Sequence, residues 1–242
     1  MKKLFLILFF GSFFSGANSQ NEGFIYDGGL TIKTSNEFYL YTSNTSKNIN
    51  DFLKDNEIEG SPYLNNDFIK GYVVTIDSLK YIDIPLRYNI YNDEIEFEQN
   101  ANVFALDNPL NYNEISIGTH IFLYLAFESG SGDNQNKSTY FEVLNPTQDL
   151  LLLKRFGVQF NKVTSAQGYV EAQPANFKKT PERFYLKFKN NELAKEVGNL
   201  KSTLSMFSDR SDEIASFIKK RKLKLRKEED LITIVNYYNG LK

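Results

Sequence analysis

The stretch Pro85–Glu98 (PLRYNIYNDEIEFE) constrains the fold more than any other part of the chain, because its pattern predicts a β-hairpin. Apolar and polar residues alternate on both sides of Asn92-Asp93, and this period of two is typical of strands with one buried face. Asn and Asp tolerate the positive φ that a tight two-residue turn requires. Such a turn would bring Ile90 opposite Ile95.

The same turn fixes the register on both faces of the hairpin. It places Tyr88 opposite Phe97 on the apolar face and Arg87 opposite Glu98 on the polar face. Because the alternation and the turn length require the same pairing, the two signals support one another. We therefore expect an antiparallel sheet built around this hairpin.

Short strand patterns continue on both sides of the hairpin. Gly71–Asp77 and Arg183–Lys189 alternate, with Tyr185 pointing outward, whereas Thr119–Glu128 is apolar at almost every position and is typical of a strand covered on both faces. The turns are too short for crossover helices, so the sheet should be an antiparallel meander. The predicted fold class is α+β and mainly β, with the sheet curved into a sandwich or an open barrel.

Two or three short helices should follow this sheet, because the apolar period becomes helical after about residue 190. Asp209 or Ser211 would cap a helix whose apolar stripe begins at Ile214. A last helix would run from about Lys227 to Tyr238, with carboxylates in its first turn, where the helix dipole favours them.

The N-terminal part of the chain shows weaker signals. A hairpin is expected within Phe24–Thr34, a strand over Glu37–Thr42 and a short helix over Ile49–Asp55, before the turn residues Gly60-Ser61-Pro62. The patterns divide the chain into a signal peptide (residues 1–19), an N-terminal β-rich segment (20–60), an antiparallel β domain (61–190) and a C-terminal helical segment (191–242).

The first residues carry the features of a secretory signal peptide. Two lysines precede the apolar run Leu4–Phe10, and the small residues Ala17 and Ser19 precede a cleavage position before Gln20. The apolar run is far shorter than the roughly 20 residues that a membrane span needs. We therefore expect export, cleavage and no transmembrane span in the mature chain. Because the chain has no cysteine, the exported protein would contain no disulfides.

The segment Lys219–Lys227 (KKRKLKLRK) is the best candidate for a binding site, since seven of its nine residues are basic. It could bind an anionic lipid surface, an acidic polysaccharide or the acidic patch of an envelope protein. Alternatively it is only the cationic end of one helix and the connector to the next, anchored by Leu223 and Leu225. The candidate residues for an anionic partner are Lys219, Lys220, Arg221, Lys222, Lys224, Arg226 and Lys227. The overall charge of −2 gives no general attraction to nucleic acid.

Other polar groups do not form a recognisable catalytic or metal site. His120 is the only histidine, and with no cysteine to share a zinc ion it is expected to be a hydrogen-bonded residue at a strand end. Glu94, Glu96 and Glu98 would share one strand face, which favours a solvated surface balanced by Arg87, because adjacent carboxylates on one strand do not straddle a scissile bond. No catalytic, cofactor-binding or metal-ligating residue is predicted, and no cofactor.

Two further patterns are weak. The Gly-Ser-Gly-Asp sequence at residues 130–133 lacks the Lys-Ser/Thr ending of a phosphate-binding loop and predicts an exposed loop. A sugar-stacking platform could be built by tyrosines, of which Tyr72 and Tyr88 belong to the predicted core faces. The candidate platform residues are Tyr63, Tyr72, Tyr81, Tyr88 and Tyr91.

Three stretches resemble an uncharacterised family of exported proteins from Bacteroidota: GSPYLNNDF at residues 60–68, PLRYNIYNDEIEF at 85–97, and the helical region 209–239. The resemblance implies an envelope setting in a diderm bacterium, either periplasmic or associated with the outer membrane. The family brings no assigned activity, cofactor or catalytic residue, so no functional residue is transferred from it.

These observations favour a non-enzymatic interaction or structural module exported to the cell envelope. A different class of function is a binding protein that holds a small apolar or glycan ligand inside a curved β-sheet, and an aromatic-lined cavity would indicate it. A carboxylate-based hydrolase is the third hypothesis, and it would require two carboxylates facing each other across a cleft.

Overall fold

A computed structural model of the chain describes residues 29–42, 47–48, 58–129, 137–145, 149–164, 173–207 and 209–241. The predicted signal peptide and the predicted helix at Ile49–Asp55 lie outside these residues. The strands are β1 Thr31–Lys33, β2 Lys47–Asn48, β3 Ile69–Thr75, β4 Leu79–Asn89, β5 Glu94–Gln99, β6 Asn102–Ala105, β7 Tyr112–Ile117, β8 His120–Phe127, β9 Lys137–Val143, β10 Leu150–Arg155, β11 Val158–Asn161, β12 Asn176–Lys179, β13 Arg183–Phe188 and β14 Lys195–Glu196. The helices are α1 Ser35–Thr42, α2 Leu200–Leu204, α3 Ser211–Arg221 and α4 Glu228–Asn239, with a 3₁₀ turn at Pro109–Asn111.

Two antiparallel meanders, β3 to β6 and β7 to β10, form the main sheet through the pairing of β3 with β7. β13 and β14 extend the sheet beyond β10, and β2 extends it beyond β6. β1 pairs with β4 in parallel, and β11 and β12 form a separate two-stranded sheet. The predicted fold class is confirmed: the chain is mainly β, with an antiparallel sheet and three C-terminal helices, and the sheet does not close into a barrel.

The sheet curls strongly around its main core. Strands β4 and β9 are four positions apart, which in a flat sheet would separate them by about 19 Å. The Tyr88 ring of β4 nevertheless lies 5.9 Å from the Tyr140 ring of β9, and 5.4 Å from Phe122 of β8. The amide of Tyr140 also donates to the carboxylate of Asp93 in the β4–β5 turn. The turn of the central hairpin therefore closes over the concave face of the sheet.

The central hairpin forms, but its predicted register is wrong by two residues. Tyr88 pairs with Ile95 rather than with Phe97, and Arg87 pairs with Glu96 rather than with Glu98. Because the error is an even number of residues, the side chains remain on the faces that the alternation predicted.

The register differs because the turn is longer than predicted. It spans residues 90–93 instead of Asn92-Asp93 alone, and of that pair only Asp93 has positive φ, at 55°. Ile90 does not pair with Ile95, since its amide donates to the carbonyl of Pro62 at 2.9 Å. A contact with a segment more than twenty residues away therefore sets the turn.

The strand predicted over Glu37–Thr42 is wrong, because these residues lie in helix α1. A capping box begins the helix: the amide of Thr34 donates to the Glu37 carboxylate at 2.9 Å, and the amide of Glu37 donates to the Thr34 hydroxyl at 3.4 Å. Phe38 is fully buried, with its ring 5.4 Å from Tyr81 and 5.2 Å from Phe97. This helix packs on the concave face and covers one part of the main core.

The C-terminal helices cover the other end of the sheet. Leu150 and Leu152 of β10 and Leu186 of β13 pack against the apolar faces of α2, α3 and α4. Tyr185, expected to point outward, is 1 % exposed, because the opposite face of β13 is covered as well and forms a core with Phe127. Among the residues described, no helix has the length and apolar character needed to cross a bilayer.

The predicted caps of α3 are also wrong. Ser211 is the first helical residue and the capping position is Arg210, which makes no side-chain cap hydrogen bond. The Asp209 carboxylate instead accepts from the Tyr238 hydroxyl of α4, at 3.3 Å. This contact ties the start of α3 to the end of α4.

Candidate functional site

The basic segment, Lys219–Lys227, forms the last turn of α3 and the connector to α4. Lys222 ends α3 with φ at 56°, a left-handed conformation usually taken by glycine, and the amide of Leu223 reaches back to the carbonyl of Ile218 at 3.0 Å. This turn directs Leu223 and Leu225 into the helical core, where both are half-buried. All seven basic side chains are exposed, as the sequence pattern predicts for this connector.

These seven cations are not neutralised locally. None of them forms an ion pair with a carboxylate in the part of the chain that the structure describes. The carboxylate of Asp230 in α4 does contact this segment. It accepts from the backbone amide of Lys224 at 2.8 Å rather than from a lysine side chain. The connector therefore carries a concentrated positive charge on the surface.

An apolar groove lies beside this charge, and we call it the basic groove. It has a volume of about 880 Å³ and separates the loop before α2 from the α3–α4 connector. Its lining is mostly apolar and includes Leu200, which is 47 % exposed. The residues lining it are Val197, Gly198, Asn199, Leu200, Ile218, Leu223, Lys224, Leu225, Arg226 and Lys227.

Only part of the predicted cationic set borders the basic groove. Lys224, Arg226 and Lys227 line it, whereas Lys219, Lys220, Arg221 and Lys222 lie on the adjacent end of α3. The groove itself was not predicted, because its second wall comes from residues 197–200, about twenty residues earlier in the chain.

His120 belongs to an ionic network between the sheet and the helices. Its Nδ1 contacts the buried carboxylate of Glu142, which also binds Lys154 at 2.8 Å. Lys154 reaches Glu228 of α4 at 3.0 Å. Burial lowers the pKa of Lys154, but the hydrogen bonds and charges of Glu142 and Glu228 outweigh this effect and hold the pKa above its ordinary value. Because the network links β9, β10 and α4, we expect it to stabilise the packing of the helices on the sheet.

The three glutamates of β5 do not form the solvated face that was expected. Glu96 is fully buried, and its carboxylate accepts from Arg87 at 2.6 Å and from the Asn89 amide at 2.9 Å. The Arg87 guanidinium lies 3.6 Å from the Tyr63 ring centroid and 4.3 Å from that of Phe68. The segment 61–68 covers this face of the hairpin, so it forms one packed unit with residues 85–97.

The tyrosines do not form a sugar-stacking platform. Tyr63, Tyr81 and Tyr88 are 6 %, 4 % and 2 % exposed, and Tyr72 is half-buried beneath Lys80. Tyr91 is exposed, at 47 %. The predicted loop at residues 130–133 lies outside the described residues.

A second cavity lies where the curled sheet remains open, and we call it the seam pocket. It has a volume of about 420 Å³ and separates the β4–β5 turn from the ends of β8, β9 and β10. Arg155 and Lys137 are its cationic residues. The sequence analysis did not identify either residue, because each is a single charge at the end of a strand.

The described residues contain no group of three or more histidine or acidic side chains placed to hold a metal ion. Comparisons with known proteins identify no relative: no protein-family model matches the chain, and no curated protein and no solved structure is significantly similar to it.

Proposed function

We propose that this protein is an exported, non-enzymatic module of the cell envelope that binds an acidic segment of a partner protein in the basic groove. The observation that carries the proposal is the combination of an apolar groove of about 880 Å³ with a border of unpaired cations. Apolar floors supply affinity, whereas charges at the border supply orientation and a fast association rate.

A peptide segment fits this geometry better than a membrane surface does. Leu223 and Leu225 are half-buried in a concave groove, so a flat lipid headgroup layer would meet the exposed lysines before these two leucines. A chain that alternates acidic and apolar residues can satisfy both parts of the site. The occupant we propose is therefore a partner segment in which carboxylates flank leucine-like side chains.

The setting in the envelope rests on the first twenty residues and on the family resemblance. A cleaved signal peptide would deliver the chain to the periplasm or to the outer membrane of a diderm bacterium. Expression of the full chain in a diderm host, followed by mass determination of the periplasmic protein, should give a chain that begins at Gln20. An uncleaved chain in the cytoplasm would contradict the export proposal.

The same exported protein serves to test the groove. We expect a fluorescent peptide of alternating Glu and Leu to bind it, because the peptide matches both the floor and the border of the groove. A peptide of alternating Glu and Ser should bind at least tenfold more weakly. Raising the salt concentration should weaken binding of the Glu-Leu peptide, since the Debye length falls from about 10 Å at 0.1 M to about 3 Å at 1 M.

A matched pair of triple variants separates the site from the overall charge. Lys224→Gln/Arg226→Gln/Lys227→Gln should weaken binding of the Glu-Leu peptide at least tenfold. Lys162→Gln/Lys178→Gln/Lys189→Gln removes the same charge from exposed positions elsewhere and should leave binding unchanged. Equal binding by both variants would overturn the proposal. The proposal would also be overturned if the protein binds phosphatidylglycerol vesicles but does not bind the Glu-Leu peptide.

A further inference from the structure

The seam pocket has the size of a small-molecule site. Its volume of about 420 Å³ lies within the range of roughly 300–1,000 Å³ that ligand pockets occupy. The pocket lies at the opening of a strongly curled sheet, beside the β4–β5 turn. Its walls come from the β4–β5 turn, from the start of β9 and from the β10–β11 junction.

Arg155 is the distinctive residue of this pocket. It is half-buried, and no carboxylate of the described ranges forms an ion pair with it. Its guanidinium lies over the ring of Phe127, 4.8 Å from the centroid. A partly buried guanidinium normally has an anion beside it, because burying an unpaired charge costs free energy.

The pairing of β10 with β13 brings a second positive charge close to Arg155. In the register of β10 and β13, Arg155 lies directly opposite Arg183. Like charges at directly opposite positions destabilise a sheet. Arg183 has an ion-pair partner in Glu196, at 3.8 Å. Arg155 makes a hydrogen bond with the Tyr185 hydroxyl, but among the described residues no carboxylate pairs with it. A smaller cavity of about 170 Å³ adjoins the pocket and is lined by both arginines.

Among the described residues that line the pocket there is one carboxylate, and it is already engaged. Asp93 accepts from the Tyr88 hydroxyl at 2.7 Å and from the Tyr140 amide at 3.3 Å, both through Oδ1. Arg155 and the exposed Lys137 carry two positive charges against this single negative charge, so the described lining is positive overall. Asp93 can accept further hydrogen bonds through its other oxygen, and this capacity suits a ligand that carries hydroxyl groups.

Aromatic rings form the remaining wall. Tyr91 is held in place by edge contacts with Phe160 and Phe177, at 6.2 Å and 5.3 Å between ring centroids, and it is 47 % exposed. Phe156 lines the pocket beside Arg155. These rings present apolar surface to the C–H groups of a ligand.

We infer that the seam pocket binds an acidic sugar unit, with its carboxylate on Arg155 and Lys137, its hydroxyl groups on Asp93 and Ser138, and its apolar face on Tyr91 and Phe156. A monosaccharide acid combines these three properties in a volume that the pocket admits. The inference is independent of the basic groove, since the two sites share no lining residue.

Calorimetric titration of the full exported protein with glucuronate tests the inference. We expect saturable binding of glucuronate and binding of glucose at least tenfold weaker, because glucose lacks the carboxylate. Acetate carries the carboxylate alone and should also bind at least tenfold more weakly. Acetate binding as well as glucuronate would overturn the assignment to a sugar, and no binding of either anion would overturn the site.

Two arginine variants keep the test distinct from the proposal for the basic groove. Arg155→Gln should reduce glucuronate affinity at least tenfold and leave binding of the Glu-Leu peptide unchanged. Arg226→Gln makes the same chemical change in the basic groove and should leave glucuronate binding unchanged. Tyr91→Ala should weaken glucuronate binding several-fold and acetate binding little, since only the sugar has a face to pack on the ring. Loss of glucuronate binding in Arg226→Gln, or its retention in Arg155→Gln, would contradict the inference.

Discussion

Arg87 and Arg155 are both arginines beside aromatic rings on strands of the same sheet, yet their surroundings are opposite. Arg87 lies between Tyr63 and Phe68 and binds the buried carboxylate of Glu96 at 2.6 Å. Arg155 lies over Phe127 and faces a second arginine across the sheet. The first guanidinium is paired with a carboxylate inside the fold, whereas the second contacts a hydroxyl and a ring and has no carboxylate partner among the described residues.

The comparison shows how the exposure of a charge bears on its role. The Arg87 side chain is 11 % exposed and that of Glu96 is not exposed, so removing one partner leaves the other charged and without solvent. Arg155 lines a cavity open to solvent, so its removal leaves no buried charge behind. The two arginines should therefore differ in their contribution to stability and in their contribution to binding.

The largest expected effect is the loss of Arg87. Arg87→Ala should lower the free energy of unfolding by about 3–5 kcal/mol, because it leaves Glu96 buried without its cation. Urea denaturation followed by circular dichroism measures this change. The double variant Arg87→Leu/Glu96→Leu removes both charges and should recover a large part of the loss. If the double variant is as unstable as Arg87→Ala, the unpaired carboxylate is not the cause.

The second effect concerns the tyrosine that covers Arg87. Burial raises the pKa of Tyr63 to about 12, with the Glu96 charge adding to the rise and Arg87 opposing it. The unfolded chain loses this proton near pH 10, so the folded state retains it to higher pH. The contribution of Tyr63 to stability is therefore fully present below about pH 10 and is lost as the pH rises towards 12.

Urea denaturation from about pH 9 to about pH 12 should show this loss as a falling free energy of unfolding. Burial also raises the pKa of Tyr88 and Tyr140, which deepens the fall in the same direction. Tyr63→Phe keeps a ring over Arg87 and removes the ionisable hydroxyl, so its profile should fall less steeply. If the free energy of unfolding falls with pH equally in Tyr63→Phe and in the unchanged protein, Tyr63 does not contribute to the fall.

The sequence predicted local features well and distant contacts poorly. Alternation assigned the faces of β4 and β5 correctly, because a period of two depends only on neighbouring residues. The register failed by two residues because the Ile90 amide pairs with Pro62, which no local pattern reveals. Helix α1 was missed although Thr34 and Glu37 form a capping box, since the aromatic residues that follow favour strands.

The same division applies to the candidate sites. The exposed cations of Lys219–Lys227 were predicted, because a high density of charge is visible in nine consecutive residues. The pairing of Arg155 with Arg183 could not be predicted, since β13 pairs with β10 although β11 and β12 lie between them in the chain. Glu96 was expected to be solvated because its cover comes from Tyr63 and Phe68, which precede the hairpin.

The smallest expected effect completes the contrast between the two arginines. Arg155→Gln should change the free energy of unfolding by less than about 1 kcal/mol. It removes a like charge directly opposite Arg183, but it also removes the contacts of the guanidinium with Phe127 and Tyr185. Arg183→Gln should also have a small effect on the free energy of unfolding, since the relief of the same repulsion is set against the loss of an exposed ion pair with Glu196. The double variant should add little to Arg155→Gln, because one charge is enough to relieve the repulsion. A loss of stability in Arg155→Gln comparable to that of Arg87→Ala would mean that both guanidinium groups stabilise the fold. Arg155 would then no longer support a ligand site in the seam pocket.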